Sequence, residues 1–254
     1  MSPAGAPDLP PGLIEALRGA ERVVALTGSG ISAESGVPTF REAQTGLWER
    51  YDPQELATPE AFARDPHLVW NWYQWRRKLV AEAEPNPGHR ALAELERRIP
   101  EFTLVTQNVD GLHARAGSRN VIELHGSILR SKCSLEDEVA EPEEHDDSVP
   151  PLCPHCGAFL RPDVVWFGEM LPPGAFEAAS EAARGCDLFL SIGTSSLVYP
   201  AASLPFEALE NGATLVEINP SETPLSRHAT FTLQGRAGEV LPGLLREVSG
   251  PSAD

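Results

Sequence analysis

Residues 25–41 read ALTGSGISAESGVPTFR, and they place an apolar strand directly before a glycine turn. Gly28, Gly30 and Ala33 fit the G-x-G-x-x-G/A pattern of a dinucleotide-binding turn. The two glycines allow a tight turn and a close approach of the backbone to a pyrophosphate, and the small third residue lets a helix begin near the strand. The pattern alone also fits an ordinary tight turn, so the rest of the chain must decide between the two.

The residues after this turn do not continue as they would in a dehydrogenase. A dinucleotide-binding dehydrogenase has a long helix here and an acidic residue about twenty positions later. This chain continues as ESGVPTFR, where Gly36 and Pro38 indicate an ordered loop. The sequence therefore disfavours hydride transfer.

The composition is that of a soluble globular protein. The chain has 254 residues, 41% of them hydrophobic and 22% charged, and no run approaches the roughly 18 apolar residues that would cross a bilayer. Residues 1–9 lack the features of a signal peptide, so we expect a flexible tail there and a cytoplasmic protein without a membrane partner. A net charge of −17 disfavours nucleic acid as a partner.

Strand-like and helix-like segments alternate along most of the chain. Apolar runs at residues 22–27, 102–106, 163–167, 187–192 and 213–219 predict strands, and amphipathic segments between them predict helices. This order predicts an α/β fold with a Rossmann-like parallel sheet and helices on both faces.

One segment interrupts the alternation, and it sets the expected domain boundaries. Residues 128–165 carry three of the four cysteines, so we expect them to form a small inserted zinc-binding module. The Rossmann-like domain would then be discontinuous, over residues 10–127 and 166–250. A helical insertion at about residues 40–85 would contribute to the smaller domain.

The cysteines of this segment have the spacing of a metal site. Cys153 and Cys156 form the turn CPHC, which presents two thiolates to a tetrahedral ion, and Cys133 adds a third. The chain has no cysteine at the expected fourth position. The candidates for the fourth ligand are Glu136, which stands at that position, His145 and His155. A weak or empty site and a redox C-x-x-C pair are the alternatives.

Polar segments follow several of the predicted strands. They are QNVDGLH at residues 107–113, ELHG at 123–126, GTSS at 193–196 and INP at 218–220. Parallel sheets bind ligands at the carboxyl ends of their strands, so each segment is compatible with a ligand site. Each one alone also fits ordinary turn chemistry, and His125 alone also fits a structural histidine.

Taken together, these segments resemble the sirtuins, a family of NAD-dependent protein-lysine deacylases, in their bacterial class III form. The matching motifs occur in the family's order: GSGISAESGVPTFR, TQNVDGLH, ELHG, a cysteine module, VVWFGE, GTS, INP and GRAGEV. The match spans roughly residues 10–248. Ser29 stands where the family usually has alanine.

The resemblance implies that NAD and an acylated lysine bind in a cleft between the two domains. It assigns catalysis to His125, as general base, and to Asn108. The residues that would hold NAD are Gly28, Ser29, Gly30, Ala33, Thr39, Phe40, Arg41, Trp48, Gln107, Asn108, Val109, Asp110, Gly193, Thr194, Ser195, Asn219, Pro220 and Ala237. The products would be nicotinamide, O-acyl-ADP-ribose and free lysine. A loop such as residues 39–48 would exclude water.

The resemblance also indicates which acyl group is removed. Tyr73 and Arg76 share a helix face and match the Tyr-x-x-Arg pattern of sirtuins that remove succinyl, malonyl or glutaryl groups. Ala57 matches a small residue that widens the acyl pocket in that group, and acetyl removal would be retained. Arg77 also lies near Tyr73 in helical spacing, and only the resemblance selects Arg76. The residues that would pair with an extended substrate peptide are Val164, Val165, Phe167 and Gly168.

The sequence thus predicts an NAD-dependent lysine deacylase with one structural zinc ion. Its partners would be acylated proteins or peptides, and we expect a monomer. One alternative is an NAD-dependent protein ADP-ribosyltransferase, which would share the cofactor site but release no free lysine. The other is a non-catalytic zinc-ribbon and nucleotide-binding interaction module, which would tolerate the loss of His125.

Overall fold

The computed structural model describes residues 9–38, 52–144 and 146–249. Its strands are β1 (Arg22–Thr27), β2 (Glu101–Thr106), β3 (Val121–Glu123), β4 (Gly126–Cys133), β5 (Leu160–Val164), β6 (Leu188–Ile192), β7 (Thr214–Asn219) and β8 (Phe231–Gln234). Six of them form a parallel main sheet in the order β3-β2-β1-β6-β7-β8, and β4 and β5 form a second, antiparallel sheet.

Helices connect these strands, and several begin where the sequence supplies a capping side chain. Thr58 accepts a hydrogen bond from the Ala61 N–H, and Asp65 accepts one from the Leu68 N–H. The helices are α1 (Pro11–Gly19), α2 (Ser29–Ala33), α3 (Pro53–Leu56), α4 (Pro59–Arg64), α5 (Pro66–Glu82), α6 (Pro87–Arg98), α7 (Leu112–Ala116), α8 (Ala175–Gly185), α9 (Leu204–Glu210) and α10 (Ala237–Ser249). None of the helices in the described ranges has the length and apolarity that a bilayer crossing requires.

The central strand β1 shows how the sheet is covered on both faces. Val23 and Ala25 face a layer formed by α1, α6 and α10, whereas Val24 and Leu26 face a layer formed by α8 and α9. A strand that is buried on both sides is apolar along its length, which explains the run RVVALT in β1. The predicted α/β class, a parallel sheet with helices on both faces, is therefore confirmed.

The antiparallel pair β4 and β5 packs against α5 and forms the smaller part of the structure. Trp72 and Tyr73 of α5 share an apolar cluster with Ile128 and Trp166. Arg77 also joins α5 to β4, because its guanidinium donates to the Ile128 carbonyl at 2.5 Å and to the Arg130 carbonyl at 2.7 Å. The helical segment over residues 52–85 thus contacts the small sheet, while the domain boundaries proposed from the sequence stay predictions.

The strand predicted at residues 163–167 lies earlier in the chain than expected. β5 covers Leu160–Val164, where it pairs with β4. The chain turns after Val164, because the Trp166 N–H donates to the Glu169 carboxylate at 2.8 Å instead of to a neighbouring strand. Apolar character alone does not distinguish a paired strand from this buried turn.

The turns that follow β1 and β6 touch through their glycines. The Gly30 N–H donates to the Gly193 carbonyl at 2.8 Å, and a Cβ on Gly30 would lie 2.7 Å from the same oxygen. Gly193 itself has a φ of +59°, a conformation that other residues rarely adopt. β1 and β6 are neighbours at the point where the strand order reverses, which is where doubly wound sheets bind ligands.

We expect Gly30→Ala to lower the free energy of unfolding by about 1–3 kcal/mol, because the new methyl group would overlap the Gly193 backbone. Urea unfolding monitored by circular dichroism measures this loss. Gly19→Ala is the control, since a Cβ at the end of α1 meets nothing within 4 Å. Equal unfolding midpoints for the two variants would contradict the close contact.

Candidate functional site

The ends of three parallel strands are joined by side-chain amides. Asn108, which follows β2, donates from Nδ2 to the Gly28 carbonyl at 3.0 Å and to the Ser32 hydroxyl at 3.1 Å. Gln107 donates from Nε2 to the Thr194 hydroxyl, after β6, at 3.3 Å. The QNVDGLH segment and the two glycine turns therefore meet in one crevice at the carboxyl edge of the sheet.

His125 follows β3 and faces the same crevice edge. Its Nδ1 lies 2.9 Å from the Gln107 carbonyl oxygen. A carbonyl oxygen only accepts hydrogen bonds, so Nδ1 carries the proton and Nε2 keeps a lone pair. Burial lowers the pKa of His125, and the bond to Gln107 acts in the opposite direction. This arrangement leaves Nε2 as the ring atom that can accept a hydrogen bond, as the predicted role of His125 requires.

Asp110 lies below the crevice in a buried position. Its carboxylate accepts the Leu112 N–H at 2.9 Å. Burial raises the pKa of Asp110, and hydrogen bonds from Ser32 and from Leu112 act against that rise. Ser32 therefore connects Asn108 with Asp110, a role that no local sequence pattern indicates.

Two buried histidines, whose roles no sequence motif indicates, support this arrangement. His113 Nε2 lies 2.9 Å from the Thr27 hydroxyl, and the His89 and His113 rings are 4.8 Å apart. His89 Nε2 lies 3.5 Å from the Ser32 hydroxyl. Burial lowers the pKa of His89 to about 4 and that of His113 to about 3, so both rings are neutral at pH 7.

Among the residues that the structure describes, the others predicted to hold NAD lie along the same edge of the sheet. Asn219 ends β7, and Ala237 begins α10, whose Gly238 N–H donates to the Glu34 carboxylate at 3.1 Å. Ser29 begins α2 and Ala33 ends it. Ser195 and Pro220 are exposed, and Val109 is half-buried. The residues outside the described ranges are Thr39, Phe40, Arg41 and Trp48.

The structure separates the two arginines that helical spacing could not separate. Arg77 is bound to the β4 backbone, whereas the Arg76 guanidinium lies 4.9 Å from the centre of the Trp72 ring. Burial lowers the pKa of Arg76, and Tyr73 and Asp110 act in the opposite direction. Tyr73 is buried, which raises the pKa of its hydroxyl to about 12.

The segment predicted to bind substrate runs between the histidine and the predicted acyl pocket. The Val165 N–H donates to the His125 carbonyl at 3.0 Å, and the Phe167 N–H donates to the Ala57 carbonyl at 2.9 Å. Val164 is buried at the end of β5, while Phe167 and Gly168 are exposed. The segment thus leaves exposed positions between the residues assigned to catalysis and to acyl binding.

A group of potential metal ligands lies at the far end of the small sheet. The ligand atoms of Cys133, Glu136, Cys153 and Cys156 all lie within 4.8 Å of one another. Thiolates bound at about 2.3 Å to one tetrahedral ion lie about 3.8 Å apart, so these residues fit zinc. His155 is not in this group, and His145 lies outside the described residues.

The backbone around Cys133 also favours a bound thiolate. Burial acts to raise the pKa of Cys133, but the Glu136 and Leu135 N–H groups, each 3.4 Å from its sulfur, bring the pKa below its ordinary value. Three thiolates and one carboxylate would hold a zinc ion that fixes β4 to the CPHC turn.

Comparison with known proteins gives a family match. The model of the Sir2 family matches residues 28–200. NAD-dependent protein deacylase 1 of Pseudomonas aeruginosa PAO1 is 55% identical over 243 residues, covering 92% of this chain and 97% of that protein. The NAD-dependent protein deacylase of Methylococcus capsulatus is 52% identical over 242 residues, covering 92% and 95%.

This chain is also similar to solved structures of Sir2 proteins. A Sir2 homolog–NAD complex superposes with a TM-score of 0.88 at 48% identity, covering 97% of this chain and 96% of that chain. A Sir2–p53 peptide–NAD+ complex superposes with a TM-score of 0.83 at 32% identity, covering 94% and 98%.

We expect the buried histidines to make the fold sensitive to acid. The unfolded chain binds protons at these residues below about pH 6.5, whereas the folded rings resist protonation until about pH 4 and 3. Their contribution is therefore complete above pH 6.5 and is lost as the pH falls, at about 1.4 kcal/mol per pH unit for each histidine. Between pH 6.5 and 4.5, the unfolding free energy of His113→Gln should therefore fall by about 1.4 kcal/mol less per pH unit than that of the wild type. Urea unfolding at a series of pH values measures both slopes.

His228→Gln controls for the loss of a histidine at an exposed position. A slope for His113→Gln that equals the slope for His228→Gln would show that His113 is not held neutral by the fold.

We expect the purified protein to carry one zinc ion per chain, with Glu136 as a ligand. Glu136→Ala should retain zinc at least about tenfold more weakly in a chelator competition, because even the partners of metal ligands contribute that much to affinity. Metal analysis after dialysis measures the retention. His155→Ala is the matched control and should behave as the wild type does; equal zinc loss in both variants would remove Glu136 from the ligand set.

Proposed function

The chain belongs to the Sir2 family, and we propose that it uses NAD to remove acyl groups from lysine side chains of proteins. The observation that carries this proposal is the crevice itself, where His125 stands at the edge formed by Gln107, Asn108 and the glycine turn. When bound, NAD supplies a ribose carbon whose bond to nicotinamide can be exchanged for a bond to the acyl oxygen.

The protein side chains prepare this exchange by position and protonation state. Nε2 of His125 would accept a proton from a ribose hydroxyl of bound NAD, and the lowered pKa of the ring favours the neutral form that can do so. Asn108 is held by the Gly28 carbonyl and Ser32, so its amide is fixed before a ligand arrives. Gly28 and Gly30 let the turn before α2 pack against Gly193, which places the start of α2 at the crevice where a pyrophosphate would bind.

The preferred acyl groups in this proposal are succinyl and malonyl, with acetyl also accepted. Arg76 is half-buried, and burial lowers the pKa of its guanidinium, so an anion beside it would stabilise the charged form. An acyl carboxylate beside Arg76 and Tyr73 would provide that anion and a hydrogen-bond acceptor. A charge-assisted hydrogen bond of this kind contributes about 1.5–3 kcal/mol, or roughly ten- to hundredfold in preference.

The partners in this proposal are acylated proteins or peptides. An extended peptide would lie along residues 164–168, which pass from the His125 backbone to the Ala57 backbone. The net charge of −17 supports a protein that does not bind nucleic acid or an anionic membrane surface. We also propose a monomer in the cytoplasm.

We expect wild-type protein to release free lysine from succinyl- and acetyl-lysine peptides only when NAD is present. Arg76→Met should lower kcat/KM for the succinyl peptide by roughly ten- to hundredfold and that for the acetyl peptide by less than about threefold, because only the succinyl group pairs with the guanidinium. Steady-state assays with the two peptides measure both values. Lys78→Met, an exposed cation on the same helix, is the control. Equal losses on both peptides would contradict the acyl assignment.

A further inference from the structure

Trp166 touches the predicted acyl pocket through a single polar atom. Its indole Nε1 donates to the Tyr73 hydroxyl oxygen at 2.9 Å. Both side chains are buried, with 2% of Trp166 and 3% of Tyr73 exposed, so water does not compete for this bond. The bond joins the turn after β5 to the middle of α5.

This bond determines what the Tyr73 hydroxyl can offer a ligand. An indole N–H can only donate, so the tyrosine oxygen is the acceptor and its own hydrogen must point elsewhere. Burial raises the pKa of Tyr73 to about 12, so the hydroxyl keeps that hydrogen at neutral pH. With one acceptor position already filled by Trp166, the hydroxyl is arranged to donate.

Other residues hold Trp166 in place, both at the ring and at its backbone N–H. The Arg161 guanidinium lies 3.5 Å from the centre of the Trp166 ring, and the Phe62 ring centre lies 5.4 Å away. Glu169 accepts the Trp166 N–H at 2.8 Å and binds Arg161 through both of its oxygens, at 2.5 and 2.7 Å.

The Arg161–Glu169 pair is costly to bury and is well ordered by its contacts. Only 5% of Arg161 is exposed, and its Nη2 also donates to the Val164 carbonyl at 2.9 Å. Among the described residues the Arg161 Nε–H has no hydrogen-bond partner, but the bidentate contact of the other two nitrogens with Glu169 fixes the orientation of the guanidinium. The pair therefore fixes the plane of the indole and the direction of its N–H.

We propose that Trp166 is a positioning residue for acyl specificity, because its indole N–H turns the Tyr73 hydroxyl so that the hydroxyl donates to the carboxylate of an acidic acyl group beside Arg76. This inference rests on the proposed preference for succinyl and malonyl groups. An acetyl group has no carboxylate, so its removal does not depend on the orientation of the hydroxyl.

The test is a double-mutant cycle on Tyr73 and Trp166 with succinyl- and acetyl-lysine peptides. Trp166→Phe and Tyr73→Phe should each lower kcat/KM for the succinyl peptide about tenfold, mainly through KM, and change the acetyl value by less than about threefold. The double variant should lose no more than the larger single loss, since both changes remove the same hydrogen bond to the ligand.

Trp70→Phe is the matched control. Trp70 is also a buried tryptophan of the small part of the structure, and its Nε1 lies 3.3 Å from the Gln74 amide oxygen when that amide is turned to accept. This variant loses an indole N–H without altering the bond to Tyr73, so it should keep the wild-type ratio of succinyl to acetyl activity. If Trp166→Phe does not fold, benzothienylalanine at position 166 removes only the N–H, because sulfur replaces it in the same ring shape.

The outcomes separate this inference from the function on which it rests. A selective succinyl loss in Trp166→Phe or in the benzothienylalanine protein, absent from Trp70→Phe, supports the positioning role. Equal losses on both peptides, or additive losses in the double variant, would show that Trp166 only packs. If Arg76→Met leaves the ratio of the two activities unchanged, the acyl preference itself is wrong. If Arg76→Met changes that ratio but the changes at Trp166 do not, only the positioning role is wrong.

Discussion

The rest of the site depends on the close backbone contact between the turns that follow β1 and β6. Because Gly30 and Gly193 meet without side chains between them, the carboxyl ends of two central strands lie at one point. Asn108 can then reach the Gly28 carbonyl, and Gln107 can reach Thr194. A side chain at either glycine would push the two turns apart. The side chains that meet in the crevice would then be separated as well.

The small sheet connects the cysteine cluster to the predicted acyl pocket. In the β4–β5 ladder, Cys133 stands opposite Leu160, and Lys132 stands opposite Arg161. The strands that a zinc ion would fix at one end therefore carry, one position further along, the arginine that holds Trp166. A structural zinc ion would therefore influence the pocket by fixing the position of β5, without taking part in the reaction.

The fold class could be predicted from the sequence, because strands buried on both faces leave apolar runs and the glycine turn has a local pattern. Other features are formed only by tertiary contacts. Helical spacing could not separate Arg76 from Arg77, since the difference lies in the β4 carbonyls that Arg77 binds. For the same reason no sequence pattern predicts the contact between His89 and Ser32, because the two residues come from elements far apart in the chain.

Product analysis shows whether the crevice couples the cleavage of NAD to the transfer of an acyl group from lysine. Purified protein is incubated with NAD and a succinyl-lysine peptide, and the products are quantified by mass spectrometry. The account predicts equal amounts of nicotinamide, free-lysine peptide and O-succinyl-ADP-ribose, and His125→Ala should form none of them. ADP-ribose attached to protein without free lysine, or lysine released without NAD consumption, would contradict it.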